Sequence, residues 1–394
     1  MPWTLKMTLL FALIMVLLFT FSSFSFMRAV TVLNLQPSFI FFLGLCLICL
    51  LFLIYPLLGW VQYSLYGEFS SDTFHKSLIY LFWYGFIFSA VLVSYTLFLE
   101  VFVWALKNGF KINPPELDPI AANLMIIVIA VVAVFTLVKT VWHTHHIKVT
   151  GISYNLTEKT GRQISPLKVI LISDLQSDRF TTPAKTKRYV DKINKQNPDV
   201  VLFAGDLITS GTKYIKEGAQ ALGDIRSRYG TFAVIGDHDY WAGERQVVSA
   251  LEENGVTVLR NQNHWLVHEE TKVKITGVTE IYHQKVEVDT LNTLLQENEG
   301  EEFRILLSHQ GTMRLIEAAE EQGYHQLLAG HTHGGQIRIP FFFYPVTAAR
   351  VETRYVKGKK RFGDLMLHIN NGLGFTLSPI RYNATAQVSV IQVK

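Results

Sequence analysis

Five short apolar runs in the second part of the chain each end in a side chain that can hold a cation or move a proton. Asp174 follows "LKVILIS", Asp206 follows "DVVLFAG", and Asp237, His238 and Asp239 follow "TFAVIG". His309 closes "FRILLSH", and His331 and His333 follow "HQLLAG". Carboxylates and imidazoles with no thiolate among them suit hard or borderline divalent ions such as Mn, Fe, Zn or Mg. The set is too large for one tetrahedral site and suits two ions, which about 3.5–4 Å apart can clamp an in-line displacement at phosphorus. A single "GD" is a common turn, and five solvated loop starts is the plain alternative. Five successive endings of this kind outweigh it. Gly205, Gly236, Gly330, Gly334 and Gly335 flank them and let the backbone turn sharply and come close to a ligand. Gln176, two residues after Asp174, offers only a neutral carbonyl oxygen where an imidazole would bind better.

The elements that must position these residues alternate short β-branched runs with longer amphipathic ones from residue 167 onward, the pattern of βαβ units. "AKTKRYVDKINKQ" predicts a helix with Tyr189, Val190 and Ile193 on one face, a second helix is expected around 215–228, and "ERQVVSALEEN" predicts a third. Strands outnumber helices toward the C-terminus. In open α/β sheets, functional groups gather at the carboxyl ends of strands, where these residues fall.

In order, "SDLQ", "GDLITSG", "GDHDYW", "LLSHQ" and "GHTHGGQ" resemble the five blocks of the calcineurin-like metallophosphoesterases. The likeness is greatest to the bacterial membrane-associated branch, which includes phosphodiesterases and UDP-2,3-diacylglucosamine hydrolases. It covers roughly 165–394, since "NNGLGFTLSPIRYN" also looks like that branch's ending, and "GHTHGGQ" is its most specific block. The resemblance implies an α/β fold, a β-sandwich flanked by helices, preceded here by an all-α four-span region. It implies two divalent ions, one held by Asp174, Gln176, Asp206 and His333, the other by Asp237, His309 and His331, with Asp206 bridging. It implies that His238 protonates the leaving oxygen, that Asp239 orients that imidazole, and that a metal-bound hydroxide is the nucleophile. The family usually has His at position 176 and Asn at position 237. Gln176 weakens the first ion's shell and Asp237 adds charge at the second. This harder, oxygen-rich shell favours Mn or Mg over Zn.

The chain before this region is of another kind. Among 36 Lys and Arg and 32 Asp and Glu, eleven lie before residue 143. Four stretches, near 7–26, 39–60, 77–106 and 120–142, are long and apolar enough for bilayer-spanning helices, which need about 20 residues. The expected division is therefore a transmembrane region over 1–146 and a metallophosphoesterase domain over 147–394. A cleaved signal peptide is the alternative for the first stretch, but "FSFMRA" lacks a small-x-small cleavage pattern. Flanking Lys and Arg, four against three, lean toward a cytoplasmic soluble half in a multi-pass cell-membrane protein. Cys46 and Cys49 sit inside an apolar run, read as helix- or lipid-facing rather than redox-active. Glu100 is read as an interfacial glutamate, and "HTHH" at 143–146 as a polar flank of the fourth span.

The formal charge of +4, without a Lys/Arg block, indicates no nucleic-acid-binding patch. Spans almost free of interior polar residues argue against a transporter. The expected partners are the bilayer and a phosphorylated substrate: a phosphodiester, monoester or pyrophosphate. The aromatic stretch "IRIPFFFYPV", with Phe341, Phe342 and Phe343, either dips toward the bilayer and admits a lipid-linked substrate or packs into the fold. Arg381 is a candidate phosphate contact, as are Arg338 and Arg350, which serve equally well in surface salt bridges. The alternative function is a catalytically degenerate membrane protein that binds metal or phosphate as a sensor or scaffold.

Overall fold

The computed structural model describes residues 1–35, 39–155, 165–300, 302–342 and 344–394. It contains two compact units. One comprises Met1–His145 with Ile337–Thr347 and Leu377–Asn383, and the other comprises His146–Gln336, Ala348–Thr376 and Ala384–Lys394.

The first unit is built on four long helices: α1 (Trp3–Val32), α2 (Phe39–Tyr66), α3 (Lys76–Trp104) and α4 (Leu117–His145). All four are long and apolar enough to cross a bilayer. α1, α2 and α4 run several residues past the expected limits because helix formation continues into the polar flanks, whereas α3 ends at Trp104, just short of its expected limit. Their outward faces carry exposed Leu13, Leu17, Ile127, Val134 and Val138, an arrangement that suits hydrocarbon rather than water. Their buried faces hold Ser22, Ser89, Thr96, Thr136 and Thr140, small residues that let helices approach closely, alongside Phe82 and Trp83.

Two segments that the sequence reading assigns to the second domain, 337–347 and 377–383, belong to this helical unit. Strands β10 (Ile339–Phe341) and β11 (Tyr344–Val346) pair as a hairpin, and the Phe342 ring packs 6.2 Å from Phe98 of α3. The Arg381 N–H donates to Thr144 Oγ1 at 3.0 Å, and the His143 ring meets Tyr382 edge-on. Phe342 thus meets an apolar helix surface, which sequence-local patterning cannot reveal, while Phe341, Phe342 and Tyr344 stay exposed. Phe343 lies outside the described residues.

The second unit stacks two six-stranded sheets. The first has the order β1 (Ile147–Tyr154), β14 (Ala386–Val393), β2 (Leu167–Ile172), β3 (Val200–Phe203), β4 (Thr231–Ala233), β5 (Val256–Val258). The second runs β12 (Gly358–Phe362), β13 (Leu365–Ile369), β9 (Gln326–Ala329), β8 (Glu302–Ser308), β7 (Thr271–Val278), β6 (Gln262–His268). From β2 to β5 all neighbours are parallel, as are β13, β9, β8 and β7.

Period-two alternation explains the layering. In β2, Leu167, Val169 and Leu171 pack between the sheets, whereas Ile170 and Ile172 face a second core. That outer core joins the first sheet to helices Pro183–Asn194, Ile215–Gly223 and Asp237–Glu253. The far face of the second sheet packs on helices Val288–Gln296 and Met313–Glu321. Strands buried on both faces are why these runs are apolar throughout rather than alternating. The result is a β-sandwich flanked by helices. The helix expected around 215–228 stops at Gly223, where the Asp224 N–H closes the last turn on Gln220 O.

Candidate metal centre

The parallel strands of both sheets end at one place. Asp174 stands two residues after β2, Asp206 three after β3 and Asp237 four after β4; His309 follows β8 directly, and His331 and His333 follow β9. Left-handed backbone is the local device that aims them: Asp174, Gln176, Asp206, His331 and His333 all have φ between 48° and 70°. Non-glycine residues rarely hold that conformation, and its cost concentrates at functional sites. Close approach does the rest. A Cβ on Gly236 would stand 2.2 Å from Asp206 Oδ1, so only glycine lets the loops after β3 and β4 meet.

Two groups of ligand atoms result. Asp237, His309 and His331 form one, and Asp174, Asp206 and His309 the other, with ligand atoms within 4.8 Å of each other in each. His309 Nε2 lies 3.4 Å from both Asp206 Oδ2 and Asp237 Oδ2. His331 Nδ1 is 3.3 Å from Asp237 Oδ2, and His333 Nε2 is 3.4 Å from Asp174 Oδ1. Gln176 Nε2 donates to Asp206 Oδ2 at 2.9 Å. All seven residues assigned as ligands from the sequence are therefore gathered in one place. Among the described residues, neither group includes the "HTHH" stretch.

Three features fit divalent cations. First, Asp174, Asp206 and Asp237 are at most 1% exposed, and no Lys or Arg hydrogen-bonds them among the described contacts. Such charges need a counter-charge. Second, His309 Nε2 and His331 Nδ1 point at one another across 3.2 Å, two ring nitrogens converging on the space a cation would share. Third, Gln176 Oε1 is buried without a hydrogen-bond partner.

The electrostatics carry the same demand. Burial pushes the Asp174 carboxyl up to about 6, with His309 opposing and Asp206 adding to the rise. Burial also acts to raise Asp206, but the His309 and His238 imidazoles outweigh it and hold the carboxyl well below its ordinary range. For His309 burial disfavours the charged ring, yet Asp206, Asp174 and Asp237 lift it well above 6.5. Burial likewise opposes protonation of His331, while bonds to Asp237 and Glu352 carry it up to about 9. The buried carboxylates thus draw positive charge onto the imidazoles beside them.

The ring tautomers are fixed from outside. His309 Nδ1 bonds Ala204 O at 2.7 Å, leaving Nε2 to face the carboxylates. His331 Nε2 lies 3.1 Å from both Glu352 Oε2 and the Tyr282 hydroxyl, leaving Nδ1 inward. Asp237 accepts from the Tyr282 N–H at 2.7 Å and the Gln310 side-chain amide at 2.8 Å. Two donors hold its negative charge in place.

Asp174 is braced by a buried chain of polar groups between the sheets. Ser173 Oγ donates to Asp174 Oδ2, and Asn370 Oδ1 lies 3.3 Å from that hydroxyl. Asn370 Nδ2 donates to Leu171 O at 3.1 Å and Ser389 Oγ at 2.9 Å, and Ser389 Oγ meets His368 Nε2 at 2.9 Å.

His238 and Asp239 do not pair as the resemblance implies. His238 Nδ1 bonds the Thr209 carbonyl at 2.6 Å, which leaves Nε2 without a hydrogen bond among the described residues. Thr209 is itself held through its hydroxyl by Asp178 Oδ2 at 3.1 Å. The Asp239 carboxylate instead accepts the N–H groups of Asp206 and Leu207 at 2.8 Å, Gly236 at 3.0 Å and Ile208 at 3.4 Å. As the third residue of its helix, Asp239 turns back onto the loop after β3 and fixes Asp206 rather than the imidazole. Burial, with Asp206 adding, pushes its carboxyl up to about 7.

Arg381 is not among the residues gathered at this centre; it is fully buried within the helical unit. Sequence reasoning missed Thr209, Gln310, Tyr282, Glu352 and Asn370. Thr209 and Gln310 lie inside two of the quoted blocks and could have been flagged by position. Tyr282 and Glu352 come from loops remote in sequence and carry no local signal.

Known proteins resemble this chain in sequence. Residues 167–335 match the calcineurin-like phosphoesterase family. An uncharacterized metallophosphoesterase of Campylobacter jejuni is 26% identical over 276 residues, 69% of this chain and 69% of the relative. A transmembrane protein with metallophosphoesterase domain from Danio rerio is 25% identical over 281 residues, 69% of this chain and 62% of the relative. The phosphodiesterase YaeI of Escherichia coli is 24% identical over 233 residues, 58% of this chain and 83% of the relative.

Proposed function

We propose that this chain, which carries a calcineurin-like metallophosphoesterase domain behind four apolar helices, is a membrane-anchored, metal-dependent hydrolase of phosphodiesters. The observation that carries the reading is the convergence of three buried carboxylates and three imidazoles beside His238, whose Nε2 makes no hydrogen bond among the described residues. The phosphodiesterase name of the Escherichia coli relative favours diesters over monoesters.

The residues divide the work. Asp174, Gln176, Asp206 and His333 would hold one divalent ion, and Asp206, Asp237, His309 and His331 the other, with Asp206 shared. Such ions supply an acidified water and neutralise charge that develops on the phosphoryl oxygens. The Thr209 carbonyl fixes the His238 tautomer, so that a proton on Nε2 can pass to the leaving oxygen. Asp239 ties four backbone amides of the two loops together and keeps Asp206 in register with His238, whose own N–H donates to Asp206 Oδ1 at 2.9 Å.

Exposed Trp241 and Tyr282 flank the centre, with Trp241 edge-on to the His238 ring at 5.1 Å and Tyr282 edge-on to His331 at 5.2 Å. Exposed aromatics beside a phosphate site suit a substrate with an apolar or planar group on its ester. A lipid-linked substrate agrees with these rings and with the bilayer-length helices. The oxygen-rich shell favours Mn or Mg.

The test uses the full chain in detergent, stripped with a chelator and reloaded with Mn, against a chromogenic diester and monoester. Mn-dependent diester turnover that disappears in Asp206→Ala is expected. A folded, metal-loaded protein inert toward chromogenic and phospholipid diesters alike would overturn the reading.

A further inference from the structure

Glu100, Arg28 and the polar end of α3 play no part in the chemistry above, yet they share one feature of the helical unit. A cleft of about 400 Å³ opens between the C-terminal part of α1, the C-terminal part of α3 and the N-terminal part of α4. It lies at the end of the bundle opposite His145, the last residue of α4. Its apolar floor is formed by Ala29, Ala122 and Met125, and Trp104, 64% exposed, stands at its edge. Tryptophan at a helix end marks the depth of lipid headgroups.

The lining is charged in a particular way. Lys107 is used internally, paired with Asp118 at 2.5 Å. Arg28 and Glu100 line the same cleft and make no ion pair or hydrogen bond among the described residues. The Ser25 hydroxyl also lines it, 2% exposed and without a partner. The last turn of α3 widens into a π-helix over Ala105–Gly109, which brings Lys107 and Asn108 to the cleft. Such turns are uncommon and gather at functional sites.

One unpaired cation, one unpaired anion and one orphaned hydroxyl above an apolar floor describe the complement of a zwitterionic amphiphile. We propose that this cleft binds one phospholipid bearing a primary ammonium headgroup, its phosphate on Arg28, its ammonium on Glu100 and its acyl chains along Ala122 and Met125. Arg presents a planar fork suited to phosphate. A primary ammonium brings three N–H donors for the Glu100 carboxylate and the Ser25 oxygen, which a choline headgroup lacks. An anionic lipid would leave the Glu100 carboxylate facing no positive partner at low-dielectric depth. The bound lipid would sit in the leaflet opposite the one where α4 ends.

Native mass spectrometry of the full chain, released from detergent after incubation with lipids of identical acyl chains, tests this. Phosphatidylethanolamine, phosphatidylcholine and phosphatidylglycerol are the three probes. One retained phosphatidylethanolamine, favoured about tenfold over the other two, is expected, and Arg28→Ala and Glu100→Gln should each weaken it about tenfold. Lys76→Ala, a charge outside the cleft, should leave it unchanged. Equal retention of the three lipids, preference for phosphatidylglycerol, or variants that bind like the parent would each overturn the assignment. Should a variant fail to insert, the three-lipid comparison on the parent chain decides alone.

Discussion

Gln176 gives its side-chain N–H to Asp206 Oδ2 at 2.9 Å and leaves its own carbonyl oxygen buried and unpaired. A residue that looks like a weakened ligand in the sequence is thus also a hydrogen-bond donor to the carboxylate assigned to both ions. Replacing it with an imidazole trades that donor for a stronger ligand. Gln176→His should bind the weaker of two divalent ions roughly tenfold more tightly. Metal content after graded chelator competition measures this; unchanged retention would show that position 176 does not contact an ion.

Ion removal should also cost stability. With buried carboxylates relying on the ions, loading at a hundredfold excess over Kd stabilises by about 2.7 kcal/mol. Thermal melting of the full chain with and without chelator should show the difference. An identical melting temperature in both would contradict a bound-ion centre.

His238→Ala should lower turnover by about 10²–10⁴-fold while metal content stays near that of the parent. The His238 side chain makes one hydrogen bond among the described residues, to Thr209 O, and its backbone N–H bond to Asp206 survives the change, so folding should persist. Full activity in this variant would exclude His238 as the proton donor.

Asp239→Ala removes one acceptor from four buried amides and should destabilise by about 3 kcal/mol or more. Melting temperature and metal content should fall together, since the same loop carries Asp206. A variant that loses activity with both unchanged would restore a direct role for Asp239 beside His238.

His368 predicts a pH effect away from the centre. Burial between the sheets, with Lys359 adding to it, lowers its pKa from 6.5 to about 4. The unfolded chain therefore binds the proton that the folded ring refuses, and stability is retained above pH 6.5 and falls as pH drops toward 4. The shift corresponds to about 3 kcal/mol over that window. His368→Gln should flatten the dependence of melting temperature on pH between 6.5 and 4. Parallel profiles for parent and variant would refute it.

The sequence by itself determined the types of chemistry and their order along the chain. Short continuous apolar runs, each closed by Asp or His, state which strands exist and what stands at their ends, because apolar composition and residue type are local properties. The four apolar stretches are legible for the same reason. What only the tertiary structure decided is convergence. That Thr209 rather than Asp239 holds the His238 ring follows from how the loop after β3 meets the first turn of helix Asp237–Glu253. That Tyr282 and Glu352 bracket His331 depends on loops 49 and 21 residues away. The segments 337–347 and 377–383 read as part of the metallophosphoesterase domain, yet they join the helical unit, where Phe342 meets Phe98 of α3 and the buried Tyr382 meets His143. Burial against a distant surface leaves no period in the sequence.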